Sequence, residues 1–391
     1  MNGACGLLDN ATMSMTELTP HQAWSLIARG AAFIDVRQPY ERVSGQAEGA
    51  LGIDQDTLEA NASTHLPDTN AEIVLICQSG QRSRYTGERL QAAGYRRLYS
   101  VAGGTDAWRE AGLRLLRPTL TTDEQDFMER YAHHLRLPQI GPHGQQRLTE
   151  ARVLLIGAGG LGSPAAFYLT AAGVGHLRIA DNDTVERSNL QRQILHVDAE
   201  LGAPKAASAA RRLTALNPHV QIEAMQVRAN SSNIEALLQD VDVAIDGADN
   251  FPARYLLNDA CVKLGIPLVY GAVHQFEGQV SVFDAGRLRG QAPCYRCLFP
   301  EPPLPEFTPS CTEAGVLGVL PGVIGMLQAT EALKLLLGIG KPLRGRVLCF
   351  DALAMHFREI RLAPDPECPL CAPGRAFPGY IDYAAFCRNP L

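Results

Sequence analysis

The sequence predicts two successive α/β domains, each built on a largely parallel sheet. Three observations predict this. Short apolar runs alternate with amphipathic segments from about residue 15 to residue 117. A glycine-rich turn links another apolar run to a helical pattern near residue 157. Between them, residues 117–125 (RPTLTTDEQ) are polar and turn-rich, which puts the boundary there.

In the first domain, Thr19 reads as a helix N-cap, Pro20 as the first helical residue and Gly30 as the stop of a helix over 19–30. Residues 31–37 and 72–80 are apolar runs ending in polar turns, read as buried parallel strands. Residues 82–95 have helical spacing, with Tyr85, Leu90 and Ala93 on one side. After the boundary, 122–137 reads as one helix. Residues 151–185 then read as strand, glycine turn, helix and strand, and 241–250 and 266–273 as further buried strands. A loop rich in Pro and Cys spans 290–311. A long helix over 322–340 stops at Gly338 and Gly340, and the tail 372–391 reads as a covering loop. There is no internal repeat.

Composition narrows the class. The chain has 391 residues, 46% hydrophobic and 19% charged, enough to bury a real core, which excludes disordered, collagen-like and small disulfide-stapled proteins. Its 35 Lys+Arg against 41 Asp+Glu leave a net charge of −6, which argues against nonspecific binding to nucleic acid or membrane surfaces. No stretch of transmembrane length is read as free of charges and helix breakers. Residues 1–14 lack the basic and apolar regions of a signal peptide and read as a disordered leader, with Met13 or Met15 as alternative starts. A cytoplasmic protein is expected. In that setting Cys-x-x-Cys pairs among the ten cysteines point to metal or redox chemistry.

Gly157-Ala-Gly159-Gly160-Leu-Gly162 fits G-x-G-x-x-G between a strand and a helix, and Asp181 ends the next strand at the offset of a ribose-binding acid. Such a turn lets backbone N–H groups meet phosphate at a helix N-terminus. NAD, FAD and ATP all fit it. Arg187, Arg192 and Lys205 follow, and splitting a triphosphate needs such cations where hydride transfer does not. Asp249, read as closing a strand, suits Mg²⁺.

Gly157 to Ser163, Asp181-Asn-Asp183, Ser188-Asn-Leu-Gln-Arg-Gln193, Gly202-Ala-Pro-Lys205 and Asp249-Asn250 occur in the order seen in the MoeB/ThiF family. The resemblance covers about residues 125–371 and implies a Rossmann-like, doubly wound domain related to ubiquitin-activating enzymes. It implies adenylation of the C-terminal glycine of a ubiquitin-like sulfur carrier ending in Gly-Gly, with pyrophosphate released. Gly160 and Asp181 would then hold adenosine. Asn189, Arg192 and Lys205 would contact the phosphates, Ser188 and Asn250 would join the ATP site, and Asp249 would take Mg²⁺. The family is dimeric and usually carries Arg-Tyr-x-Arg, whose second Arg reaches the partner subunit's ATP. Here the run is Arg130-Tyr131-Ala132-His133, so a shorter, partly charged imidazole replaces that finger. Arg130 or Arg136 are the candidates to compensate.

Cys294-Tyr-Arg-Cys297 and Cys368-Pro-Leu-Cys371 supply four thiolates, enough for a structural Zn²⁺; a redox dithiol would need one pair only. Cys311 lies at a loop end before a helical stretch, so it is either a buried inert thiol or, as the resemblance implies, a thiol that attacks the activated carrier. Cys5, Cys261, Cys349 and Cys387 read as structural or incidental.

Cys77 ends a strand and opens Cys-Gln-Ser-Gly-Gln-Arg82-Ser before a helix. Such a loop can wrap N–H groups around a thiolate or persulfide, with Arg82 adding positive charge. With Asp35-Val-Arg37 upstream and Val101 to Trp108 (VAGGTDAW) downstream, residues 15–117 resemble a single rhodanese domain, with Gln46 where many rhodaneses have His. The adenylyltransferase domain then spans 118–391.

Together the resemblances imply that ATP activates the carrier and a Cys77 persulfide, charged by thiosulfate or a cysteine desulfurase, delivers sulfur to it. Cys311 is the candidate to release the thiocarboxylate. The Cys294–Cys297 and Cys311 regions look more like MoeB than ThiF, pointing to the molybdopterin synthase small subunit. Carriers for thiamine, tRNA thiolation, cysteine or siderophore synthesis stay open. Two readings of other classes also stand: an NAD-dependent oxidoreductase with a fused sulfurtransferase, and a non-catalytic sulfur-relay scaffold.

Overall fold

The computed structural model describes residues 15–117, 121–302 and 315–388. It divides into two compact units, Met1–Ala132 and His133–Leu391.

The first unit holds β1 (Thr16–Leu18), β2 (Ala32–Asp35), β3 (Gln46–Ala47), β4 (Leu51–Gly52), β5 (Glu72–Ile76), β6 (Arg97–Val101) and β7 (Leu115–Leu116). Five form a parallel sheet in the order β1-β6-β5-β2-β4, and β3 pairs antiparallel with β7. Ile73 and Leu75 of β5 join one core with Leu58 and Leu90. Val74 and Ile76 join the opposite core with Phe33 and Trp108. Apolar side chains on both faces explain why this strand reads as an unbroken hydrophobic run. Thr19 caps the Pro20–Ile27 helix through a reciprocal capping box with Gln22.

The Gln81–Ala92 helix corrects the expected face. Tyr85 is 50% exposed and Ala93 is exposed, while Ser83, Thr86, Gly87 and Leu90 are buried. The Met15 side chain occupies the space where a Cβ on Gly87 would lie, so the helix seats on its small residues. The single helix expected over 122–137 is two: Thr122–Arg130, capped by Thr121, and Ala132–Leu135. The break falls at Tyr131 (φ −102°, ψ 14°), whose buried ring meets Phe127 edge-on at 5.2 Å.

The second unit holds β8 (Arg152–Ile156), β9 (His176–Ala180), β10 (Gln221–Met225), β11 (Val243–Asp246), β12 (Leu268–His274), β13 (Glu277–Phe283), β14 (Arg346–Asp351) and β15 (His356–Arg361). The sheet runs β10-β9-β8-β11-β12-β13-β14-β15. The first five strands are parallel and the remaining pairings antiparallel. Strand order reverses between β8 and β11, the switch point where open α/β sheets bind ligands. One core joins Val153 and Leu155 to the helices Gly162–Ala171, Lys205–Leu216 and Leu320–Leu337. The other joins Leu154 and Ile156 to Phe251–Leu264 and to Tyr383.

Among the described residues, Leu320–Leu337 is the one helix long and apolar enough by composition to cross a membrane, which the sequence reading did not single out. More than half of it is buried, with Leu320, Ile324, Gln328 and Glu331 turned inward. The tail also departs from a plain loop. Tyr383–Arg388 is helical, and its Phe386 ring meets Tyr255 edge-on at 5.2 Å.

Candidate functional site

In the second unit the turn after β8 is shaped by close backbone approach. Gly157 has φ +92°, and a Cβ there would come within 2.6 Å of the Gly247 carbonyl oxygen beyond β11. A Cβ on Gly162 would collide with the Gly157 carbonyl. Asp181 follows β9 directly; its carboxylate accepts from Ala158 N at 2.8 Å and Asp183 N at 2.8 Å. Burial pushes its pKa up, against the lowering by those N–H groups and Lys205. Lys205 opens its helix; its N donates to Asp183 O at 2.9 Å and its Nζ pairs with Asp183 Oδ2 at 2.9 Å.

The Arg187–Asn189 turn is 3₁₀-helical. Arg192 Nη1 donates to Ser188 O at 3.2 Å, Asn189 Nδ2 donates to Ser188 Oγ at 3.0 Å, and Gln193 Nε2 donates to Asn189 Oδ1 at 2.7 Å. A Cβ on Gly160 would lie 3.6 Å from Arg192 Cγ, so this segment closes over the glycine turn. Gly160, Asp181, Ser188, Asn189, Arg192 and Lys205 thus gather at one sheet end through linked contacts. Arg187 instead pairs with Asp198 at 3.0 Å, both highly exposed.

Asp249 does not close a strand. β11 ends at Asp246, and Asp249 lies exposed in the turn beyond, accepting from Asn250 Nδ2 at 3.1 Å. Asn250 caps the Phe251–Leu264 helix, its Oδ1 accepting from Ala253 N at 3.0 Å. The buried acid at the strand end is Asp246, which sequence reasoning missed. Burial pushes it up to about 6, although Arg254 and the Ala248 N–H pull the other way. Arg254 Nε lies 3.5 Å from Asp246 Oδ2, and Arg254 Nη2 donates to Ala248 O at 3.0 Å. The acid at the end of the Val243–Asp246 run, and an Arg in the first turn of the next helix, were its signal. His133 is exposed, and neighbouring His134 bonds Gln145 Oε1 through Nδ1 at 2.9 Å. Arg130 pairs with Asp126 at 2.9 Å, and Arg136 is exposed.

Cys294, Cys297, Cys368 and Cys371 converge, all four Sγ atoms lying within 4.8 Å of one another. Separations of 3.9, 3.7 and 3.4 Å match the edge of about 3.8 Å that Zn–S bonds of about 2.3 Å impose on a tetrahedron. Asp365 N donates to Cys297 Sγ at 3.4 Å and Cys371 N to Cys368 Sγ at 3.5 Å, as thiolate ligands require. The donor set fits zinc. Between the first two cysteines, Arg296 is buried in a two-point pair with Asp259, at 2.9 and 2.7 Å, which Tyr383 OH also reaches at 2.9 Å.

In the first unit Cys77 follows β5, 1% exposed. Gly80 N donates to its Sγ at 3.2 Å and Ser83 Oγ at 3.4 Å. The downstream glycines have a steric reason: a Cβ on Gly104 would strike the Cys77 and Gln78 carbonyls, and Thr105 N donates to Cys77 O at 2.8 Å. Arg37 and Asp35, both fully buried, pair at 2.7 Å, and Arg37 Nη1 reaches Gln78 Oε1 at 3.4 Å. Arg82 spends its charge locally, pairing with Glu41 at 2.5 Å. Burial pushes Glu41 up, but Arg82 and the Gln38 N–H outweigh it and hold the carboxyl low. Gln46 Nε2 donates to Ala50 O. Cys261 is buried, Cys349 and Cys387 are half-buried, and Cys5 and Cys311 lie outside the described residues.

Residues 131–370 match the ThiF family, and residues 19–111 match the Rhodanese-like domain. The chain belongs to the ThiF family, with a rhodanese-like domain ahead of it. It is 53% identical over 264 residues to the sulfur carrier protein adenylyltransferase of Thermus thermophilus, covering 67% of this chain and 97% of that one. It is 50% identical over 274 residues to the SAMP-activating enzyme E1 of Haloferax volcanii, covering 70% and 99%. It is 44% identical over 273 residues to the probable adenylyltransferase/sulfurtransferase MoeZ of Mycobacterium tuberculosis, covering 70% and 68%. Among solved structures, E. coli MccB with ATP matches in fold at a TM-score of 0.51 and 19% identity, over 68% of this chain and 85% of that one.

Proposed function

We propose that this protein adenylates the C-terminal glycine of a ubiquitin-like sulfur carrier and then converts it to a thiocarboxylate. The observation that carries the reading is that one chain holds both a glycine turn rimmed by Asp181, Arg192 and Lys205 and a cysteine cradled by Gly80 N–H and Ser83 Oγ. The printed names of its relatives, sulfur carrier adenylyltransferase and adenylyltransferase/sulfurtransferase, support it.

In the first step a carrier carboxylate oxygen attacks the α-phosphorus of ATP and pyrophosphate leaves. Gly160 and Asp181 orient the nucleoside. Ser188, Asn189, Arg192, Lys205 and Asn250 line the phosphates, where the cations offset charge building on oxygen. Asp249 would hold Mg²⁺, which supplies further phosphate neutralisation when bound. The zinc cysteines stay outside the chemistry and fasten the fold.

In the second step the terminal sulfur of a Cys77 persulfide, loaded from thiosulfate or a cysteine desulfurase, attacks the acyl carbon. AMP leaves and an acyl disulfide forms. The Cys311 thiolate then attacks the Cys77 sulfur. This frees the carrier thiocarboxylate and leaves a Cys77–Cys311 disulfide that a cellular thiol reduces. A homodimer, a cytoplasmic setting and the molybdopterin synthase small subunit as carrier complete the reading.

The test is the intact mass of that carrier after incubation with enzyme, Mg-ATP and thiosulfate. A gain equal to one oxygen-for-sulfur exchange, lost in Cys77→Ala while AMP still forms, supports both steps. No gain and no AMP, in wild type and in His133→Arg, overturns the reading. It would favour the relay scaffold that an exposed His133 at the finger position suggests.

A further inference from the structure

Beneath the glycine turn lies a buried histidine that the reaction scheme does not use. His196 is 5% exposed. Its Nε2 lies 2.9 Å from Ala158 O and its Nδ1 lies 2.7 Å from Ser208 Oγ. A carbonyl can only accept, so Nε2 carries a proton. Ala158 also donates its own N–H to Asp181 Oδ2 at 2.8 Å. The two successive peptides that flank the Ala158 Cα are therefore both held, one by the imidazole and the other by the acid that the reading assigns to adenosine.

Proton counting at the other ring nitrogen is more informative. Ser208 is fully buried, and its one hydroxyl proton faces two acceptors, His196 Nδ1 and Glu200 Oε2. If the hydroxyl turns to the imidazole, the ring is neutral. If it turns to Glu200, Nδ1 faces an oxygen lone pair and needs its own proton, so the ring is an imidazolium. Arg211 fixes Glu200 from the far side at 2.8 Å, keeping that carboxylate an acceptor. Ser208 thus makes the ring's charge a two-state property of a buried chain.

We propose that His196 is a positioning residue for the nucleotide, holding the Ala158 carbonyl while Asp181 holds the Ala158 N–H, and that it takes up a proton when a polyphosphate binds at the turn. This rests on the reading of the turn as an ATP site. The groups facing the ring set the sign. Burial lowers its pKa and so does Lys205, while the Ala158 carbonyl, Asp181 and Glu200 raise it. An arriving triphosphate adds negative charge above the ring and favours the imidazolium.

The experiment is calorimetric titration of ATP into the full chain at pH 6 and pH 8, in buffers of different ionisation heat. Wild type should take up more protons at pH 6 than His196→Gln, whose amide still donates to Ala158 but cannot titrate. The nucleotide's own proton exchange cancels in that comparison. His196→Ala, which loses the clamp, should weaken ATP binding about five- to tenfold at both pH values. Equal proton uptake in wild type and His196→Gln, or unchanged affinity in His196→Ala, overturns the inference while leaving the ATP site standing. Absence of ATP binding by wild type overturns the site reading itself.

Discussion

Beside the Cys77 loop the cations are committed: Arg37 pairs with Asp35 and Arg82 with Glu41. The sulfur meets a backbone N–H and a hydroxyl instead. Beside the glycine turn the arrangement is looser. Arg192 donates to a backbone carbonyl, and Lys205 pairs with the half-exposed Asp183. Both loops sit at the carboxyl ends of parallel strands, yet one is a closed cradle and the other an open rim. The difference follows ligand size. One sulfur anion can be wrapped by a four-residue loop, Cys77 to Gly80, whereas a triphosphate must be met by side chains that exchange internal partners for phosphate oxygens.

The largest expected effect would separate the two loops. Cys77→Ala should lower thiocarboxylate formation on the order of a thousandfold with AMP release intact. Lys205→Ala should lower AMP release about a hundredfold with Cys77 persulfide formation intact. Mass spectrometry of carrier and enzyme reads both, and any crossover between the losses would break the division. Next in size, a strong zinc chelator, or Cys368→Ser, should remove several kcal/mol from the second unit alone. In differential scanning calorimetry the transition of the first unit should stay in place.

A smaller effect probes the cradle. Gly104→Ala drives a methyl into the Cys77 and Gln78 carbonyls. It should cost about 3 kcal/mol in the first unit and slow persulfide loading, leaving adenylation unchanged. The smallest concerns Asp246. Its folded pKa, about 6, lies above the ordinary 3.8. The stabilisation from this group is therefore complete below pH 3.8 and is lost as pH rises through about 6. Asp246→Asn does not titrate. Its stability relative to wild type should climb by on the order of 1–3 kcal/mol between pH 4 and pH 7. A flat difference in urea melts would show that the site is not desolvated.

What was legible in the sequence was local. Thr19 and Pro20 announced a helix start, two Cys-x-x-Cys pairs announced a four-sulfur cluster, and the spacing from Gly157 to Asp181 announced a nucleotide turn. What was not legible depends on residues far apart in the chain. Nothing near Gly157 shows that Gly247 presses on it. Nothing near His196 shows that it reaches back to Ala158, 38 positions earlier. Periodicity points to the wrong face of Gln81–Ala92 because Tyr85 and Ala93 are more apolar than the buried Ser83 and Gly87. The helix instead seats where Met15 fits. Asp246 and Asp249, three residues apart, carry the same sequence signal of an acid after an apolar run, and only burial separates them.

The four-sulfur cluster also orders events during synthesis. Cys294 and Cys368 stand 74 positions apart. At 5–20 residues per second, the first pair of thiols emerges from the ribosome roughly 4–15 s before the second. The Tyr383 latch on Asp259 arrives later still. The rhodanese-like unit has all its strands by Leu116 and can be complete while its neighbour is still being made. The second unit can close only once Cys368, Cys371 and Tyr383 have emerged, so a nascent chain carries a finished rhodanese-like fold ahead of a ThiF-family fold whose four-cysteine cluster is still incomplete.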